Sequence, residues 1–274
     1  MKKENLCNFF GEFFGTFLLV FFGCSSVAVS VLFKAHMGLF QIAAVWGMAV
    51  TLAIYATRHL SCAHINPAVS IAMVAARRMS IKKLPVYLLA QFSGAFLAGV
   101  FIYLLFSGSI NNFESTHNII RGHANSISTA MIFGEYFPNP SSSSICSVSL
   151  LNAFFAEAFG TFLLVSMIFL LTEGCNVGKP NNEFAPILIG VTVTAIISIL
   201  APLTQAGINP ARDFGPRLFS YFAGWKYIAI PGPKGGFFTV YILGPIIGGV
   251  VSALLFTKLI QPLMISKTGG KING

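Results

Sequence analysis

Six apolar runs leave the backbone of this chain one way to satisfy itself. They lie at roughly 8–33, 40–57, 84–106, 150–172, 185–203 and 237–260, each near or above the roughly 20 residues with which a helix crosses the hydrocarbon of a bilayer. In lipid no water pairs with a bare N–H or C=O, so a run of that length closes its hydrogen bonds within itself, as a helix. Only 9% of the 274 residues are charged and 55% are hydrophobic, where soluble domains carry about 25% charged residues. The predicted fold class is an all-α membrane protein with six transmembrane helices. The first run is too long for a cleavable signal peptide and lacks a small-residue cleavage site before the next polar segment, so it is expected to stay as a span.

A net charge of +9 raises the possibility of nucleic acid. The basic residues, however, neither line an amphipathic face nor interleave with exposed aromatics, and nucleic acid is not an expected partner. They cluster between spans: Lys2 and Lys3 before the first, Arg58, Arg77, Arg78, Lys82 and Lys83 between the second and third, and Lys258, Lys267 and Lys271 at the end. By the positive-inside rule these segments and both termini face the cytoplasm, as an even number of spans requires. The expected location is the plasma (inner) membrane. Cys7, Cys24, Cys62, Cys146 and Cys175 form no CxxC pair and no zinc spacing, and read as small core residues or free thiols. No metal and no cofactor is expected.

The chain also repeats itself. GEFFGTFLLV at 11–20 returns as AEAFGTFLLV at 156–165, 145 residues on, and HINPAVS at 64–70 returns as GINPARD at 207–213, 143 residues on. Two similarities at nearly one offset indicate a duplication within a single transmembrane domain spanning 1–274. The first repeat covers about 8–108, a connecting outer loop about 109–147, the second repeat about 148–262, and a short cytoplasmic tail 263–274. Each half holds three spans, an odd number, so the second half runs opposite to the first. Inverted repeats place their functional site near the bilayer midplane, where the repeats meet.

The second repeated element opens a stretch of about ten residues, too short to span. Asn is a good N-cap and Pro fits the first helical position, so Asn66-Pro67-Ala68 and Asn209-Pro210-Ala211 each read as the start of a half-helix. Irregular backbone at membrane depth is tolerated only where protein buries it or where it lines a watery cavity. Cys62, Ala63, His64 and Ile65, and Gln205, Gly207 and Ile208, are therefore predicted to line a pore with their carbonyls. Two half-helices entering from opposite faces point their positive ends at the pore centre, which repels cations and protons. That arrangement describes a passive channel.

Glu12 and Glu157 are matched by the repeat and sit inside spans one and four, where an unpartnered carboxylate is costly. Each is predicted to accept hydrogen bonds from the non-helical backbone before an Asn-Pro-Ala start. Headgroup-level placement is the alternative. Arg212 lies about one helical turn after Asn209, on the face that carries the asparagine into the pore. Its equivalent in the first half is Val69, so a single arginine is expected to enter the pore, on the outer side. Asp213 and Arg217, an i,i+4 pair, turn toward the protein. His64 is expected to offer its carbonyl to the pore and its ring to packing.

HINPAV, GINPARDFGPR and the paired GEFFGT and AEAFGT closely resemble the major intrinsic protein family, the aquaporins and glycerol facilitators, over about residues 8–262. Asp213 beside Arg212, the basic Arg217, and the outer-loop segments FESTHNIIRG at 113–122 and FPNP at 137–140 are similar to the glycerol-facilitator branch. The resemblance implies an aquaporin-like fold of six spans and two half-helices, a homotetramer, and a selectivity filter of Trp46, Ile197, Ala206 and Arg212. Facilitators typically have Gly where Ile197 falls and Phe where Ala206 falls. The set here looks more like that of plant nodulin-type channels, to which Tyr241 and Ile242 also lean. Cys62 and Gln205 stand where facilitators usually have Gly.

The expected function is a passive, bidirectional channel for small uncharged solutes in membrane lipid: glycerol first, with water and possible passage of urea or metalloid hydroxides, and with ions excluded. A water-selective or metalloid-hydroxide channel of the same family is the runner-up. An ion-coupled secondary transporter would need Glu12 or Glu157 as its coupling residue, and a structural junction protein would keep the fold and lose conductance. No nucleophile, base and acid set supports an enzyme.

Overall fold

A computed structural model describes residues 3–36 and 38–267; Lys2, Lys271 and the rest of the tail beyond Lys267 lie outside the described residues. Each predicted span is a helix. Spans one to five are Lys3–Phe33, Leu39–Thr57, Leu84–Thr116, Leu150–Thr172 and Ala185–Thr204. Span six is the helical run Phe237–Lys267. It is π-wound over Phe237–Leu243, just before Pro245, whose missing N–H deprives the preceding turn of its ordinary bond. The half-helices are Pro67–Ala75 and Pro210–Ser220.

The third span continues past the expected end near 106 to Thr116. Its last turns are polar and reach the connecting loop, where Glu114 accepts from Arg121 Nη2 at 2.6 Å and from Thr129 Oγ1 at 2.7 Å. Hydropathy measures how far lipid extends and is silent on how far a helix does.

Packing follows the duplication. Span one lies along span three and span two; correspondingly, span four lies along span six and span five, and spans two and five close the two halves together. The close crossings rest on glycine: a Cβ at Gly94 would strike the carbonyl oxygen of Phe13, and one at Gly248 that of Ala158. Phe13 and Ala158 are themselves repeat mates. The half-helices are exchanged: Pro67–Ala75 packs on span six and Pro210–Ser220 on span three. Each repeat thus supplies the half-helix that the other's third span supports, and the two halves are interlocked around one centre. Outward faces keep large apolar side chains exposed, among them Phe10, Leu52, Leu104 and Phe155, as a surface facing lipid requires.

Candidate functional site

The half-helix starts meet at the centre. Asn66 Oδ1 accepts from Ala68 N at 2.9 Å, and Asn209 Oδ1 from Ala211 N at 3.0 Å and Arg212 N at 3.2 Å, so each asparagine caps its own helix. Its amide reaches the other repeat: Asn66 Nδ2 donates to the Ile208 carbonyl at 2.9 Å and Asn209 Nδ2 to the Ile65 carbonyl at 2.8 Å. The Ile65 and Ile208 carbonyls thus each accept one hydrogen bond across the repeat boundary. Pro67, Ala68, Pro210 and Ala211 are buried as the first residues of the two helices.

The approach to each start is strained. Ala63 and Ile65 have φ of 48° and 46°, and their repeat mates Ala206 and Ile208 have 58° and 44°, a left-handed region that a β-branched residue rarely enters. The buried acids hold it there. Glu12 accepts from His64 N at 2.9 Å, Ile65 N at 2.7 Å, Ser61 Oγ at 2.8 Å and Gln91 Nε2 at 2.7 Å. Glu157 accepts from Gly207 N at 2.9 Å, Ile208 N at 2.6 Å and Thr204 Oγ1 at 2.6 Å. These hydrogen bonds offset the strain of holding both loops open. The His64 ring has Nδ1 3.1 Å from Ser70 Oγ and lies beside the Tyr87 ring, tilted to it.

A cavity of about 480 Å³ runs from the end bearing the termini up to Trp46, Ile197 and Arg212. A second, of about 220 Å³, opens on the other side of the same three residues. They mark a constriction. Cys62, Ala63, His64, Ile65, Asn66, Ala206, Gly207, Ile208 and Asn209 border the larger cavity, with Leu19, Val50, Leu164 and Val193 among its apolar lining. Gln205 borders the smaller one, and its side chain accepts from Tyr136 N at 2.9 Å, tying the connecting loop to the end of span five.

At the constriction Arg212 is only 4% exposed. Its guanidinium lies over the Trp46 ring, 3.9 Å from the centroid. Its Nη1 is paired with Glu135 Oε1 from the connecting loop. Sequence reasoning missed Glu135. The available signal was one acid in the otherwise uncharged stretch MIFGEYFPNP, but nothing local says that it folds back to the pore.

Asp213 and Arg217 explain why it does. Arg217 Nε donates to Asp213 Oδ2 at 2.9 Å and Nη2 to Oδ1 at 2.7 Å. The pair then grips the backbone of Glu135: its N–H donates to Asp213 Oδ1 at 2.7 Å, and its carbonyl accepts from Arg217 Nη2. Arg217 Nη1 also donates to the Ala229 carbonyl at 2.7 Å. The connecting loop and the loop that follows the second half-helix are thereby fastened to that half-helix. At the opposite mouth Arg78 is paired with Glu173 and lies over the Phe169 ring at 4.7 Å. Burial pushes the Glu173 carboxyl up, but the hydrogen bond and charge of Arg78 outweigh it and hold the group below the ordinary glutamate range.

Comparison with known proteins places this geometry. Residues 1–256 match the family described as Major intrinsic protein. The chain is 41% identical to the glycerol uptake facilitator protein of Haemophilus influenzae over 261 residues, covering 95% of this chain and 96% of that relative. It is 37% identical to a propanediol uptake facilitator of Salmonella typhimurium over 250 residues, covering 91% and 92%. The X-ray structure of the aquaglyceroporin from Plasmodium falciparum superposes with a TM-score of 0.80 at 29% identity, covering 95% of this chain and 98% of that one.

Proposed function

The chain belongs to the major intrinsic protein family, and from that premise we propose that it is a passive channel passing glycerol, with other small uncharged solutes and water, down their gradients. It is a multi-pass integral membrane protein. The observation that carries the reading is the meeting of two capped half-helices, Asn66 and Asn209 donating across the repeat boundary, between two cavities aligned on one constriction. The two helix N-termini make the centre positive, which opposes cations and protons, while an ion has no set of ligands there to replace its hydration shell. Trp46, Ile197, Ala206 and Arg212 form the selectivity filter in this reading, the loop carbonyls serve as acceptors along the pore, both termini face the cytoplasm, and the assembly is a homotetramer in the plasma (inner) membrane.

Relatives named for glycerol and for propanediol uptake support a polyol as the solute. The fully engaged acids weigh against an ion-coupled transporter, since Glu12 and Glu157 spend their oxygens on the loops. Stopped-flow swelling of vesicles holding the purified protein tests the proposal: glycerol flux should exceed that of empty vesicles and ignore proton and sodium gradients. Flux equal to empty vesicles would refute it.

Ala206→Phe tests the filter assignment. A ring entering a constriction already bordered by Trp46 and Ile197 should lower permeability to the bulkier solutes, urea and glycerol, by about tenfold relative to water, the scale of one or two kcal/mol of steric penalty. Ion conductance should stay at background, because size selection and charge exclusion rest on different groups. A parallel loss of water and glycerol would move the filter elsewhere.

A further inference from the structure

Two arginines border the inner end of the larger cavity, and the passage of a neutral solute does not call for their charge. Arg58 closes span two and Arg78 follows the first half-helix, with Met73, Thr172 and Asn182 beside them on the rim. Arg58 gives Nη1 to the Asn182 carbonyl at 3.3 Å and lies 5.1 Å from the centre of the Tyr55 ring, so Nε and Nη2 remain for another partner. Arg78 pairs with Glu173 through Nη2 and lies over the Phe169 and Phe256 rings, at 4.7 and 5.4 Å. Its side chain is still 28% exposed and can be reached from the mouth. Glu173 also accepts from Gln261 Nε2 at 3.2 Å. The other acid of that loop, Glu183, is exposed and does not border the cavity. With Arg78 and Glu173 cancelling, Arg58 leaves the rim positive. The cavity behind it, about 480 Å³, is within the roughly 300–1,000 Å³ typical of small-molecule sites.

We propose that this inner mouth is a binding site for a phosphate monoester of a small polyol, which seats its phosphate on Arg58 and Arg78 and its hydroxylated tail in the cavity, closing the channel from inside. This rests on the reading of the chain as a polyol channel. A guanidinium presents its N–H groups as a flat fork that matches two oxygens of a phosphate, and such charge-assisted bonds are the strong ones. The tail enters a cavity that admits the free polyol. The phosphate cannot follow it through, because Trp46 and Ile197 at the constriction offer apolar walls, and stripping a doubly charged group of its water is costly. Inorganic phosphate has the charge without the tail and a free polyol the tail without the charge, so the ester alone uses both halves of the site. A reaction that phosphorylates the solute inside would then restrict its own supply.

Stopped-flow glycerol uptake into vesicles equilibrated on both faces with millimolar α-glycerophosphate tests this, each protein being compared with its own flux in the absence of the ester. Wild-type uptake should fall with saturation, and inorganic phosphate at matched ionic strength should require about tenfold more for the same effect. Arg58→Gln should raise the half-inhibiting concentration about tenfold, the size of one hydrogen bond between charged groups. Arg58→Lys keeps the charge and loses the fork, and should lie between; it decides alone if Arg58→Gln does not fold. Undiminished wild-type uptake, equal inhibition by inorganic phosphate, or an unshifted half-inhibiting concentration in the variants would each overturn this inference and leave the channel reading standing. Wild type no more permeable to glycerol than empty vesicles overturns both.

Discussion

Replacing Glu157 with leucine should abolish the folded channel. The carboxylate takes the Gly207 and Ile208 N–H groups and the Thr204 hydroxyl, in a segment where Ala206 and Ile208 are both left-handed. Leucine fills the volume and accepts nothing. Each buried donor left unpaired costs about 1–3 kcal/mol, so three of them remove several kcal/mol from a margin of roughly 5–15 kcal/mol. The strained loop is also freed to relax, and with it the Ile208 carbonyl that receives Asn66. Size-exclusion profiles and thermal unfolding in detergent should show little intact protein. Glu157→Gln, with one acceptor oxygen retained, should lie between. A leucine variant with the wild-type melting temperature and glycerol permeability would contradict this account of the loop. If Glu157 instead coupled transport to an ion, the glutamine variant would fold normally and lose only the gradient dependence.

Arg217→Met should be nearly as damaging, for a different reason. It strands Asp213, which is fully buried, and drops the bonds to the Glu135 and Ala229 carbonyls. Breaking one partner of a buried ion pair costs about 3–5 kcal/mol, chiefly through the charge left behind. The double variant Asp213→Leu, Arg217→Met should recover part of that stability, because no lone charge remains. It should not recover selectivity, since neither residue then holds the loop that brings Glu135 to Arg212. Unfolding temperatures of the two single variants and the double, read as a cycle, separate these effects. The glycerol-to-water ratio of the double variant reports the loop. A double variant less stable than Arg217→Met would mean that the two residues act independently.

These expectations turn on contacts that differ in how visible they are in the chain. The spans could be read because a lipid-crossing helix must be apolar along its whole length, and the half-helix starts because Asn and Pro act on the next few residues. Glu12 and Glu157 drew notice through the repeat, since each is an acid inside an apolar run at matching positions. Asp213 and Arg217 were recognisable as an i,i+4 pair, but their grip on the Glu135 backbone joins residues 78 and 82 positions apart. Nothing in local pattern records that distance. Arg212 likewise reads as a lone cation until Glu135 and Trp46 are seen beside it.

By itself the sequence determined that the chain is a duplicated set of six helices with two shorter ones, because hydropathy, helix capping and repetition act over a few residues or by direct copying. Only the tertiary structure decided that the half-helices are exchanged between repeats, that each asparagine donates to the opposite loop, and that a connecting-loop carboxylate pairs with the arginine at the constriction. Those are long-range pairings of buried charge and backbone, set by which surfaces meet once all the helices have packed.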